Sequence, residues 1–370
     1  MKIAVPADFS MDSLMAIHRF NLRSRPNRIF EVYGSLPFSG FAAGRSAHSL
    51  PACSKNEFEA YVQHANEYGI TFNYTLNGTC LGAQEYDPAW RSRLRSHVHY
   101  LRDLGIDTYT ICTPAMVAIV RNLVPQAHIT VSVTAEVASL RVASVYETIG
   151  VDKIMASLSL YRNFSRLRAL AQGTTARIGV ILNSFCFPHC AYRSEHFNTS
   201  AHLDQDSPVL YDTAGSFDFN QCALEKLSDP SDFLCTAFIR PEDIHFYEDM
   251  GVSFFKLEGR QRTNFDAVKV AGIYSERRFD GNICDLHVLF SDARLPRLIN
   301  IDNRKLDGFL ARFAAGASCD LKACPDCEHC RKYAQDAISV LDAEGLRHAT
   351  DDLKREIAEF TDHKEGPVIE

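Results

Sequence analysis

The feature that most limits what this chain can fold into is a recurrence. Short apolar runs alternate with amphipathic stretches from about residue 27 to residue 277. Ile29-Phe30-Glu31-Val32-Tyr33 reads as the first strand, and Phe58, Tyr61, Val62, Ala65 and Tyr68 then fall at the spacing of one helix face. Further strands are predicted at 70–74, 108–112, 129–133, 153–156, 178–182, 234–238 and 253–257, with helical patterns between them. About eight β/α units in roughly 250 residues is the size of an α/β protein of the (β/α)8, TIM-like barrel type. An open doubly wound sheet is the alternative, but no glycine-rich phosphate turn follows the first predicted strand.

On this reading residues 1–277 form the barrel, with a long insertion at about 183–232. Its stretch from Asn198 to Phe219 is polar and without periodicity, which suits a functional loop. Residues 278–370 form a small C-terminal, cysteine-rich helical module. There Tyr333, Ala337, Val340 and Leu341 are expected on one helix face. Thr350 is expected to cap a second helix carrying Leu353, Ile357 and Phe360.

Composition narrows the class. Of 370 residues, 46% are apolar and 23% charged, an ordinary globular balance. The net charge of -7 and the lack of a basic run argue against a general nucleic-acid coat. Met1 to Ser10 lacks the pattern of a secretory signal, and no segment approaches the roughly 18 apolar residues of a membrane span. The expectation is a cytoplasmic protein with no membrane partner. In a reducing compartment, twelve cysteines point to metal or redox chemistry rather than to disulfides.

Two cysteine patterns carry that chemistry. Cys186-Phe-Pro-His-Cys190 directly follows the predicted strand 178–182, at the catalytic end of a barrel strand. Cys222 and Cys235 are the candidates to complete a four-thiolate site, although Cys235 falls near the start of the predicted strand 234–238, so the intervening loop must fold back. A radical S-adenosylmethionine site needs a third cysteine close behind the pair, and Ala191-Tyr192-Arg193-Ser194 supplies none. The second pattern, Cys319-x4-Cys324-x2-Cys327-x2-Cys330, places four thiols in twelve residues. Soft thiolates select zinc or iron–sulfur clusters. Cys53, Cys80, Cys112 and Cys284 read as free thiols, with Cys80 in a strand-end loop after Asn77-Gly78-Thr79.

Several charged residues join the candidate site. Arg240 precedes Pro241-Glu242-Asp243; this is either ordinary helix-start chemistry or an anion clamp in the barrel mouth. Lys256, Glu258 and Arg260 alternate onto one side of the last predicted strand, as a lumen network or anion site would; a structural salt-bridge layer is the alternative for Glu258. Tyr192, Arg193, His196 and Asn198 stand beside the cysteine pair, where ligand-supporting or substrate roles arise. Asn73, Tyr74 and Asn77 either line the mouth or form a turn with Gly78.

At these residues the sequence resembles the peptidase U32 family. The resemblance rests on the cysteine pair with Tyr192-Arg193-Ser194-Glu195-His196-Phe197-Asn198, on Phe238-Ile239-Arg240-Pro241-Glu242-Asp243, and on Phe255-Lys256-Leu257-Glu258-Gly259-Arg260. It covers most of residues 27–277, while the four-cysteine tail resembles a subgroup of the family. The resemblance implies a TIM-barrel-like iron–sulfur protein. It further implies oxygen-independent hydroxylation, with prephenate as oxygen donor, of ribosomal RNA, transfer RNA or the ubiquinone precursor ring. Carried over by motif, Cys186, Cys190, Cys222 and Cys235 would hold a 4Fe-4S cluster, and the tail cysteines a second cluster, with zinc as the alternative there. Arg193, His196, Arg240, Lys256, Glu258 and Arg260 are the expected catalytic groups.

The expected activity is therefore an iron–sulfur-dependent oxidoreductase or hydroxylase acting on a small or peptide-derived substrate. A collagenase-like peptidase and an RNA-modifying hydroxylase are the alternatives. No HExxH or GxSxG motif is present, and a Cys190–His196 pairing is what a peptidase would use. A compact acidic chain disfavours RNA but leaves it open, and a partner protein fits the paired ubiquinone members. One difficulty stands: four cysteine ligands leave no open iron.

Overall fold

The computed structural model describes residues 1–24, 26–37, 39–44, 50–203, 217–259, 266–287, 295–319 and 327–362. Eight parallel strands close into a barrel in chain order: β1 Lys2–Pro6, β2 Arg28–Gly34, β3 Thr71–Leu76, β4 Thr108–Ile111, β5 His128–Val131, β6 Lys153–Met155, β7 Arg177–Ile181 and β8 Phe254–Lys256. Closure is made by β1, which pairs β2 on one side and β8 on the other, with Ile3 opposite Phe255. An open sheet is thereby excluded.

The helices between strands begin where the sequence offers a side-chain cap. Ser10 caps α1 Met11–Arg23 and Ser54 caps α2 Lys55–Glu67, the latter with a reciprocal bond from Glu57. Asp87 and Thr113, each followed by proline, cap α3 Pro88–Asp103 and α4 Pro114–Leu123. Ser139 and Asn163 cap α5 Leu140–Thr148 and α6 Phe164–Gly173. Each oxygen satisfies an amide that the first turn leaves unpaired. The expected apolar face of α2 is the one buried: Phe58, Tyr61, Val62 and Ala65.

Strand alternation sends one face toward these helices and the other into the lumen. Paired polar groups share the lumen with an apolar cluster of Met155, Ile181 and Phe254. Lys153 of β6 and Glu31 of β2, strands on opposite sides of the barrel, form a buried ion pair across it. Thr110 donates to Asn73 at 2.8 Å between β4 and β3. Gly179 makes room for an aromatic plug, since a Cβ there would lie 2.3 Å from the Phe254 ring.

Two strand expectations need correction. The first strand is Lys2–Pro6 rather than 29–33, which is the second. The run 234–238 is no strand. Pro230–Cys235 is a 3-10 turn capped by Asp229, and the following chain lies beside the exit of β7, where Ala237 N–H donates to Cys186 O and Ile239 N–H to Leu182 O. Bonded in this way, it shows the apolar pattern of a strand without joining the sheet.

The insertion after β7 contains α7 Arg193–Leu203 and α8 Phe217–Ser228, so both ends of the stretch read as loop are helical. After the 3-10 turn come α9 Ile244–Asp249 and α10 Ala267–Glu276. In the C-terminal region β9 Ile299–Ile301 pairs antiparallel with β10 Ile338–Val340, preceded by α11 His329–Ala337 and followed by α12 Ala343–Thr361. Val340 therefore leaves the helix face predicted for it, because Ile338–Val340 completes a two-stranded ladder. Asp342, rather than Thr350, caps the last helix; Thr350 is inside it. α12 packs on α8, with Phe360 stacked on Phe217 and Glu356 accepting from Asn220 at 2.8 Å. No helix among the described residues is long and apolar enough to cross a membrane.

Candidate functional site

The exits of β7 and β8 are tied together at the barrel mouth. The Asn183 side chain accepts from Glu258 N–H at 2.8 Å and donates to the carbonyls of Glu258 and Leu286 at 3.1 Å each. Phe185 stacks flat on His287, ring centres 3.8 Å apart. This anchored segment delivers Cys186, and the loop then runs through Phe187 and Pro188 to Cys190.

Arg193, the first residue of α7, holds that loop in place. Its buried guanidinium donates to Glu136 at 2.8 Å, to Pro188 O at 3.2 Å and to Phe187 O. Glu136 also accepts from Ser157 at 3.2 Å and sits at φ 51, a backbone region that non-glycine residues seldom occupy. Strain of that kind persists only where surrounding contacts enforce it.

Cys222 of α8 completes a three-thiol group. Cys186 and Cys190 both lie within electrostatic reach of Cys222, Lys226 and Arg193. Desolvation, with Glu258 and Cys222 adding to it, pushes the Cys186 thiol up to about 11, and desolvation also raises Cys190. Lys226, one helical turn after Cys222, is completely buried. Its ammonium donates to Cys222 Sγ at 2.7 Å and lies 3.9 Å from the Phe187 ring centre. No carboxylate among the described residues pairs with it. A buried cation needs an opposing charge, and sulfur is what the site offers.

Cys235 stands elsewhere. Its thiol is hydrogen-bonded with Cys330 of α11, which is held below the ordinary thiol range by that bond and by Arg162. Cys235, Cys319, Cys327 and Cys330 line one cavity of about 350 Å³ with Arg162, and the loop from Phe187 to Tyr192, Cys190 included, lines it from the other side. The eight cysteines named from the sequence thus fall into two groups, but with Cys235 beside the tail thiols. Cys324 and Arg260 lie outside the described residues. Among the described residues no three Cys, His, Asp or Glu side chains close around one point as a single ion requires. An iron–sulfur cluster takes its thiolates at wider spacing, because each sulfur binds a different iron.

The remaining candidates divide. Lys256 projects over the Tyr33 ring at 3.6 Å, and Glu258 stands near Cys186, so both belong to the mouth. His196 lies on α7 against Phe197 and Phe219. Arg240 is not a clamp in the mouth. Its buried guanidinium donates to Asn303 Oδ1 at 2.8 Å, Leu306 O at 2.6 Å, Asn303 O at 3.0 Å and Asp307 at 2.7 Å. These acceptors consume the fork that an anionic ligand would need. The sequence reading missed Arg162, Glu136 and Lys226. Only Lys226 left a signal, its placement four residues after Cys222 on a helix.

Fold and mouth define the class: a (β/α)8 barrel with a cysteine-bearing loop after its seventh strand. Residues 38–190 match the sequence profile of Peptidase family U32. The chain is 27% identical over 344 residues to uncharacterized protease MJ1657 of Methanocaldococcus jannaschii, covering 91% of this chain and 98% of that relative. It also resembles the solved structure of the U32 peptidase Mk0906, with TM-score 0.50 and 17% identity over 70% of this chain and 93% of that one. The chain is thus similar in part of its sequence to peptidase family U32, and in fold to a solved U32 peptidase.

Proposed function

We propose that Cys186, Cys190 and Cys222 hold an iron–sulfur cluster at the barrel mouth. The protein would then be an iron–sulfur oxidoreductase performing oxygen-independent hydroxylation, or a related redox modification, of a small or peptide-derived substrate. The observation that carries this reading is the grouping of three thiols, not four, around the buried Lys226. Three thiolates on a four-iron cluster leave one iron free for an oxygen-bearing ligand, which removes the difficulty raised by a four-cysteine set.

When bound, such a cluster supplies an open Lewis-acidic iron and an electron reservoir. The protein's own residues do the rest. Lys226 balances the charge of the thiolates. Arg193, locked to Glu136 and two loop carbonyls, fixes the cysteine loop. Lys256 and Glu258 set charge in the mouth, with Lys256 suited to hold an anionic substrate group over Tyr33.

The names of the relatives favour a second reading, a peptidase. Against a cysteine nucleophile, desolvation outweighs the pull of Lys226 and Arg193 and leaves the Cys186 and Cys190 thiols raised, whereas an activated nucleophile is held down. The test is electron paramagnetic resonance, with and without cyanide, on anaerobically purified, reduced protein carrying Cys327→Ser and Cys330→Ser, so that only the barrel-mouth thiols contribute. A cluster signal that cyanide shifts supports the open-iron site. A colourless protein that cleaves peptides, or a signal that cyanide leaves unmoved, overturns it.

A further inference from the structure

Arg162 poses a problem that the barrel-mouth chemistry does not solve. It follows Tyr161 in the β6–α6 connection, is 1% exposed, and is enclosed by aromatic rings: Phe309 at 4.8 Å, Phe238 at 5.5 Å and Phe313 at 5.7 Å from the guanidinium carbon. One nitrogen donates to Leu234 O at 2.6 Å and approaches Cys330 Sγ at 3.6 Å. The other two, Nε and Nη2, are buried without a hydrogen-bond partner. No carboxylate among the described residues pairs with it. A guanidinium stays charged even when buried, and an uncompensated buried charge costs several kcal/mol. The groups near enough to answer it are the sulfurs of Cys330, Cys319 and Cys235 and the hydroxyl of Tyr247, and burial pushes that hydroxyl up and keeps it neutral.

We propose that Cys235, Cys319, Cys327 and Cys330 bind a second metal centre, separate from the barrel-mouth group, with Arg162 as its buried counter-charge. A cubane cluster ligated by four thiolates carries a net double negative charge, the complement that Arg162 lacks, and it suits thiols too widely spaced for a single ion. All four cysteines and Arg162 line the same cavity of about 350 Å³, which Cys190 also lines, whereas Cys186 and Cys222 do not. Cys330 also donates to Leu234 O at 3.3 Å, the carbonyl that Arg162 uses.

The ligands come from two parts of the chain. Cys235 ends the 3-10 turn that follows the β7 insertion, while Cys319, Cys327 and Cys330 belong to the C-terminal region, and α11 packs directly on that turn. The centre therefore rivets the C-terminal region to the barrel. It also removes Cys235 from the barrel-mouth set, leaving that set with three thiols. The inference does not depend on what the barrel mouth binds.

The test counts iron, zinc and sulfide per chain in full-length protein purified anaerobically, for single and paired Cys→Ser variants. Cys235→Ser and Cys330→Ser should each remove the same one centre, and the Cys235→Ser/Cys330→Ser pair should remove no more than either alone. Cys235→Ser combined with Cys186→Ser should lose both centres. A centre that survives Cys186→Ser/Cys190→Ser but not Cys330→Ser supports the second site whatever the mouth holds. Iron with sulfide supports it, and one zinc without sulfide overturns the cubane. The proposal is overturned if Cys235→Ser behaves as additive with Cys330→Ser and non-additive with Cys186→Ser, or if Cys330→Ser leaves the metal content unchanged. Arg162→Met keeps every thiol and guards against misfolding of the cysteine variants. It should surrender the second centre to a chelator at least tenfold faster, and an unchanged rate counts against the counter-charge.

Discussion

Replacing Arg240 with methionine separates two roles that the sequence left open. In the structure this side chain makes four hydrogen bonds to residues 303–307, and Asn303 in turn donates to Glu242 at 2.9 Å and to Phe279 O at 2.7 Å. The bond to Asp307 contributes little, because that carboxylate is 82% exposed and screened. The other three are buried and charge-assisted. Removing the guanidinium leaves Asn303 Oδ1, Asn303 O and Leu306 O short of a donor and strips Asp243 of its cation, 3.7 Å away. Breaking one side of such a network costs about 3–5 kcal/mol. Urea unfolding followed by circular dichroism should show that loss for Arg240→Met. Arg240→Lys should recover less than half of it, because one ammonium cannot reproduce the planar fork. If Arg240→Met instead unfolds within about 1 kcal/mol of the parent while substrate binding collapses, Arg240 is an anion clamp and the docking role is wrong.

Three further outcomes are expected. Gly179→Ala should destabilise by about 1–3 kcal/mol in the same assay, since its Cβ meets the Phe254 ring at 2.3 Å inside a closed barrel. A second change, Phe254→Leu, should restore part of the loss. Burial raises the Asp243 carboxyl to about 6 against the opposing pull of Arg240. With the folded value above the unfolded one, its contribution is fully present below about pH 4 and is lost as pH rises through about 6. Asp243→Asn should therefore match the parent near pH 4 and exceed it above pH 7, by at most roughly 2–3 kcal/mol, and parallel stability–pH curves would contradict this. Lys226→Gln should release the barrel-mouth metal to chelators more than tenfold faster while the Cys235-containing centre is retained, as measured by iron and sulfide analysis.

The barrel was legible because its signal is local and repeated. Each amphipathic helix carries its own apolar face, and a cap such as Ser54 with Glu57 marks where it begins. The errors came where tertiary contacts override pattern. Lys2–Pro6 is short and ends on proline, so it escaped notice although it closes the barrel. The run 234–238 has strand composition because it packs along the β7 exit, and only the bonds to Leu182 and Cys186 show that it stays outside the sheet. The cysteines were recognisable by spacing, but their partition was not. Cys222 and Cys235 are thirteen residues apart, and nothing in that interval says that a helix and a 3-10 turn aim them at different neighbours. Arg162 was unreadable for the same reason: its thiols and aromatic rings come mostly from residues 234–330, far along the chain.

The most direct measurement is iron and sulfide content in anaerobically purified protein carrying Cys327→Ser and Cys330→Ser, which removes the tail group and leaves the barrel mouth intact. One iron–sulfur cluster should remain, and further change of Cys186, Cys190 or Cys222 to serine should abolish it, whereas Cys235→Ser should not. A protein with neither iron nor sulfide in the tail-deficient background, or a remaining cluster lost with Cys235→Ser, would contradict a three-thiol centre at the barrel mouth.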